Sequence, residues 1–178
     1  MDAHKLIPHP DTPCDAVRGI EVNVHLAPSG DLILTYTLKA DLAALRIPPA
    51  MTPARGKDLW KRTCLEAFLQ GEDAPAYREF NFSPSGQWQA YAFTDYRQGG
   101  PLALAPAPTM GRIDKDGRIT LKCKLPAEAL PKGTLLRLGI TAVIEDVDGG
   151  LSFWSPRHPP GEPDFHHTDN FALTFSRP

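Results

Sequence analysis

Long apolar runs are missing from this sequence, and none approaches the roughly 18 apolar residues that a membrane span needs. The opening residues, Met1-Asp2-Ala3-His4-Lys5, lack the basic start and apolar run of a secretory signal, so the expected address is the cytoplasm, with no membrane partner. Cysteine is scarce: Cys14, Cys64 and Cys123 are odd in number, far apart and without a Cys-x-x-Cys pair, and read as free thiols, mostly buried. An excess of one charge is absent too. Lys and Arg total 19 against 21 Asp and Glu, with no basic stripe to neutralise phosphates, which argues against a nucleic-acid partner. The sequence contains no Gly-x-Ser-x-Gly elbow, no phosphate loop and no Gly-x-Gly-x-x-Gly fingerprint. No internal repeat occurs.

What is present suits one ordinary folded domain over residues 1–178, with 42% hydrophobic and 22% charged residues. Prolines number 19 and glycines 14; helix interiors tolerate both poorly, whereas loops between short strands use them freely. The fold class is therefore expected to be β.

Hydrophobic period supports this. Ile20 to Leu26 and Leu32 to Lys39 alternate with period two around Ser29-Gly30-Asp31 and predict a hairpin. Asp41 caps one helical turn, which Pro48, Pro49 and Pro53 keep from extending. Thr63 to Leu69, Tyr77 to Ser83 and Gln87 to Thr94 predict a meander, joined by Gly71 to Pro75 and by Ser83-Pro84-Ser85-Gly86. Leu102 to Thr109 is too rich in proline for a central ladder and reads as a crossover or an edge. Asp116-Gly117 marks a second hairpin between 112–114 and Arg118 to Leu125, and Pro126 to Leu130 reads as another short helical turn. Leu135 to Asp146 is the longest apolar stretch and should be central, before Leu151 to Trp154 and a closing Asn170 to Ser176. Roughly ten short strands without a strand–helix–strand rhythm predict an all-β, two-sheet antiparallel β-sandwich with one or two helical turns.

Candidate binding residues stand out against this pattern. Trp60 and Trp154 flank strand ends, where an indole either stacks on the apolar face of a sugar ring or closes the end of the core; Trp88 reads as a strand residue of the core. Glu66 interrupts a nearly apolar strand and needs a groove, a partner or solvent. Glu79 and Asn81 alternate with Phe80 and Phe82, so both polar side chains leave the sheet on one face. Glu145 ends the long strand and either joins them or belongs to a solvated turn. The segment 158–169 carries His158, His166, His167 and Asp164, which invites a metal or haem reading, although the prolines prevent the helical spacing of known metal cages.

The runs 59–69 (Leu59-Trp60 through Glu66 to Leu69) and 79–88 (Glu79-Phe80-Asn81-Phe82 to Trp88) resemble the DOMON-like domains, relatives of the family 9 carbohydrate-binding modules. Tyr96-Arg97, Ala142-Val143-Ile144-Glu145 before Trp154, His158-Pro159-Pro160 and Pro163-Asp164-Phe165-His166 extend the resemblance along nearly the whole chain. It is nearest to the stand-alone bacterial subgroup of unassigned function. The resemblance implies a jelly-roll or immunoglobulin-like sandwich, a sugar held between Trp60 and Trp154 with Glu66 and Asn81 as polar contacts, and haem or calcium in some relatives. For haem, Met1, Met51 and Met110 are a poor supply of axial ligands.

The leading expectation is a noncatalytic domain that binds a sugar or sugar-like small molecule through Trp60, Glu66, Glu79, Asn81, Glu145, Trp154 and His158, without a cofactor. A haem or metal redox module using His158, His166 or His167, with His166, His167 and Asp164 as the candidate metal ligands, and a protein-interaction domain are the alternatives. An enzyme would instead require carboxylates, or a histidine and a carboxylate, converging in one cleft with perturbed acidity.

Overall fold

The computed structural model describes residues 2–72 and 74–177, with only the backbone of Asp2; Met1, Pro178 and Asp73 of the expected Gly71 to Pro75 turn lie outside it. Thirteen strands are found among the described residues: β1 (Asp2–Pro8), β2 (Val17–Leu26), β3 (Leu32–Ala40), β4 (Ala54–Arg55), β5 (Cys64–Gly71), β6 (Tyr77–Phe82), β7 (Gln87–Asp95), β8 (Gln98–Pro101), β9 (Thr109–Lys115), β10 (Arg118–Leu125), β11 (Leu135–Glu145), β12 (Leu151–Ser155) and β13 (Leu173–Ser176). Helix is limited to four single 3₁₀ turns, two of which follow Asp41 and Pro126 as the sequence predicts. Among the described residues no helix is long and apolar enough to cross a membrane.

The chain is all-β, but its strands do not separate into two independent antiparallel sheets. Hydrogen bonding runs unbroken along β4-β7-β6-β5-β11-β12-β1-β2-β3-β10-β9, with β8 added to β7 and β13 to β11. The joint is β1. Its Asp2 to Leu6 pair with β2, while Ile7 and Pro8 pair with β12, so one strand belongs to both halves of a single curled sheet. Among the described side chains of β1 only Leu6 is buried, which leaves no apolar alternation to mark the strand in the sequence. One pair, β4 with β7, is parallel.

The two halves enclose the main core. Ile20, Val22, Leu34, Tyr36, Leu121 and Cys123 from one half meet Leu65, Ala67, Phe80, Phe82, Ile140, Ala142 and Trp154 from the other. The buried Tyr36 hydroxyl donates to the Glu66 carbonyl at 2.6 Å and ties the halves across this core. In β5 and β11 alternation fails, because every residue of β5 and Leu138–Glu145 of β11 are buried. One face of these strands points into the main core. The other supports a smaller apolar cluster of Phe68, Tyr77, Val143, Phe165 and Phe171, under the long connection between β12 and β13. That connection lies close to the sheet because β11 has no side chain at Gly139: a Cβ there would stand 2.9 Å from Phe171 Cδ1 and 3.1 Å from the Asn170 carbonyl oxygen.

Candidate functional site

Strand register decides which polar residues share the outer face. Glu66 of β5 pairs with Asn81 of β6 and with Thr141 of β11, while Phe68 pairs with Glu79. Glu79 pairs in turn with Tyr91 of β7, and Val143 of β11 with Phe153 of β12. Period two places all of these on the side of the sheet opposite the main core.

Over this face lies a cavity of about 580 Å³, within the usual range of small-molecule sites. Glu66 and Glu79 line its sheet side with Phe68 and Val143; Tyr91, Phe93 and Phe153 add aromatic surface. Trp60 closes one edge from the 3₁₀ turn before β5, Arg97 and Gly99 to Pro101 contribute from the β7–β8 hairpin, and Pro163, Phe165 and His166 come from the β12–β13 connection. The 3₁₀ turn and the β12–β13 connection lie outside the strands, while β8 extends the sheet beside β7, and together they border the concavity on this β face.

The polar groups of this floor are buried and incompletely paired. Glu66, 2% exposed, accepts one hydrogen bond from a neutral donor, the Thr141 hydroxyl, at 3.2 Å. Asn81 Nδ2 donates to Glu79 Oε1 at 2.9 Å, and Asn81 Oδ1, also buried, has no partner. Burial holds the Glu66 carboxyl well above the usual carboxylate range, and the neighbouring Glu79 charge adds to this. Glu79 is pushed up to about 7 by burial, against the Asn81 hydrogen bond and the Arg97 charge, which pull it down. His166 goes the other way: burial, helped by Arg97, lowers it to about 4. Its Nδ1 faces the Tyr77 hydroxyl at 2.8 Å, and its Nε2 faces Glu79 Oε2 at 3.6 Å.

A polar clamp fastens the cover. Asp164 accepts from the Tyr96 hydroxyl at 2.6 Å and from Arg97 Nη2 at 2.9 Å, and it also accepts the His166 backbone N–H at 3.0 Å. Arg97, with φ of 55°, adopts a left-handed turn conformation and donates its own N–H to the Tyr77 hydroxyl at 3.0 Å. The hairpin, β6 and the β12–β13 connection are thereby joined at one edge of the cavity.

The expected site residues separate into those around this cavity and those elsewhere. Trp60, Glu66, Glu79 and His166 line it, and Asn81 lies within the floor beside Glu79. Trp154 does not face Trp60 across a groove. It pairs with Ala142 and points into the main core with its Nε1 donating to Ser152 Oγ at 2.8 Å, because on β12 the even-numbered residues face inward and the small Ala142 leaves room for an indole. Glu145 is away from the cavity, buried between Arg46 at 3.2 Å and Arg62 at 2.8 Å. His158 lies in a separate surface depression with Ile7 to Asp11, its Nε2 against the Ile7 carbonyl at 2.9 Å and its ring edge-on to His9. The half-exposed His167 caps the turn at Thr168–Asn170.

His158, His166 and His167 therefore serve three different neighbourhoods. Among the described residues no group of three or more His, Cys, Asp or Glu side chains is placed to hold a metal ion, and His158, His166 and His167 do not converge as a ligand pair.

Arg97, Tyr91, Phe93, Phe153 and Phe165 were not singled out from the sequence as site residues. Tyr91 and Phe93 carried a signal: on a strand whose Trp88 and Ala90 fill the core, they occupy the opposite face, where an aromatic pair needs cover.

The sequence matches no family model and no curated protein. The fold is similar to that of a candidate carbohydrate-binding protein from Bacteroides uniformis, with a TM-score of 0.73 at 16% sequence identity, over 99% of this chain and 86% of the other.

Proposed function

We propose that this chain is a single ligand-binding domain without chemistry of its own, and that it holds a sugar or sugar-like small molecule in the cavity over β5, β6, β7 and β11. The carrying observation is the cavity itself: Trp60, Tyr91, Phe93, Phe153 and Phe165 offer aromatic surface around two buried carboxyl groups. Aromatic faces pack on the C–H faces of a sugar ring, and the carboxyl groups bond its hydroxyls. The structural likeness to a candidate carbohydrate-binding protein supports the reading at the level of fold. A stand-alone relationship to the DOMON-like domains and the family 9 modules is part of the proposal, with one revision: Trp60 works with Tyr91 and Phe93 in place of Trp154. The three free cysteines, two of them buried, fit a cytoplasmic protein.

The test is a thermal-shift screen of monosaccharides and nucleotide sugars, repeated on Trp60→Ala and Phe93→Ala. A sugar that raises the melting temperature of the parent protein and does so weakly or not at all for the two variants supports the reading. Stabilisation unchanged in both variants would place the ligand elsewhere.

A further inference from the structure

The charge balance of the cavity narrows the ligand class. Two carboxyl groups lie in the floor, and among the described residues the basic side chains that line the same space are Arg97 and His166. Arg97 is committed: its Nη2 donates to Asp164 at 2.9 Å and its Nε to the Tyr96 hydroxyl at 3.1 Å. His166 is uncharged at neutral pH, since burial lowers it to about 4. Glu66 and Glu79 thus face the cavity beside Thr141, Asn81 and a neutral imidazole, and among the described residues neither has a charged basic side chain within ion-pair distance. A buried carboxyl group without a cation either keeps its proton or awaits a positive charge from outside the chain.

Geometry supplies the place for that charge. Glu66 and Glu79 are diagonal neighbours on adjacent strands, a relation that sets Cβ atoms about 7 Å apart on one face, and both carboxyl groups line the same cavity. Around them Trp60, Tyr91, Phe93 and Phe165 present ring surface, and ring faces attract cations. Carboxyls below and aromatic rings around are the surroundings that an ammonium group prefers to bulk water. A neutral hydroxyl draws on the hydrogen bonds alone.

We propose that the ligand of this cavity carries a protonated amine on a compact hydroxylated ring, an amino sugar, with its ammonium group held between Glu66 and Glu79. The inference rests on the sugar-binding reading and narrows it. The ammonium keeps its proton, and each carboxyl that ionises as the ligand enters releases one proton to solvent. The groups that set this balance are Glu66 and Cys64 on β5, Tyr77 and Glu79 on β6, Tyr91 on β7, Arg97 in the hairpin, and Asp164 and His166 in the covering connection. Binding therefore strengthens as the pH rises from 5.5 toward 7, the region where Glu79 loses its proton.

The experiment is isothermal titration of the intact protein with three matched sets: glucose, glucosamine and N-acetylglucosamine; the galactose set; and the mannose set. Each is run at pH 6 in two buffers of different ionisation enthalpy. The expected result is that in one set the free amine binds at least about tenfold tighter than both neutral members, with net proton release. In Glu79→Gln and Glu66→Gln, checked for folding by thermal melting, that preference shrinks. If a neutral sugar binds as tightly as its amino counterpart, or the preference survives both variants, the amine inference is overturned and the sugar reading stands. If no member of any set binds, the amine inference falls, and the sugar reading falls with it when the nucleotide sugars of the thermal-shift screen also leave the melting temperature unchanged.

Discussion

Glu79 Oε2 of β6 faces His166 Nε2 of the β12–β13 connection at 3.6 Å, so the sheet and its cover meet through two titratable side chains. Burial moves them in opposite directions, Glu79 up to about 7 and His166 down to about 4. Between these values both are neutral, whereas the same two groups in water would form an ion pair over much of that range.

This relationship predicts how stability responds to pH. Glu79 is raised, so its contribution is present at acid pH and is lost as the pH climbs from 4.5 through about 7; His166 is lowered, so its contribution is present above 6.5 and is lost as the pH falls toward 4. Glu79→Gln keeps an acceptor for Asn81 and removes the titration. The ligand-free variant should melt higher than the parent at pH 8, on the order of 5–10 °C, and close to it at pH 4.5. Melting curves at the two pH values check this, and equal gains at both would contradict the assignment.

The tryptophans should divide by role. Trp154→Ala leaves a hole in the main core and should cost about 3–5 kcal/mol in denaturant unfolding. Trp60, 47% exposed, should cost no more than about 0.5 kcal/mol when changed to Ala, while ligand stabilisation is lost. The reverse pattern would restore the two-tryptophan groove that the sequence suggests.

Gly139 permits the close approach of the cover. In Gly139→Ala the new methyl meets Phe171 and the Asn170 carbonyl, which should destabilise by about 1–3 kcal/mol and speed amide exchange in residues 163–171. Unchanged exchange there would mean that the connection is held without this contact.

Asp164→Ala removes the acceptor that joins Tyr96 and Arg97 to the cover. Since Arg97 is about half exposed, global stability should change by less than about 1 kcal/mol. Amides in 162–167 should exchange faster and a bound sugar should leave sooner, both readable by hydrogen exchange and stopped-flow release.

Much of the fold was legible because alternation reports one wet face: β2, β3 and β10 keep it, and Asp116-Gly117 turns as expected with φ of 52° and 69°. The continuity of the sheet was not, since it depends on β1, whose outward side chains carry no pattern, passing from β2 to β12. Glu66, Glu79 and Asn81 were legible as polar residues on one face of neighbouring strands. Arg97 and Phe165 were not, because they reach the cavity from turns and connections whose course no local rule fixes.

The most direct test of the central claim follows the three indole N–H signals in a ¹H–¹⁵N correlation spectrum while the protein is titrated with a sugar that stabilises it. Trp60 lines the cavity, whereas Trp88 and Trp154 belong to the main core. The Trp60 indole signal should move with saturation while the signals of Trp88 and Trp154 stay in place. Movement of the Trp154 signal with Trp60 unmoved would contradict it and place the ligand on another face of the protein.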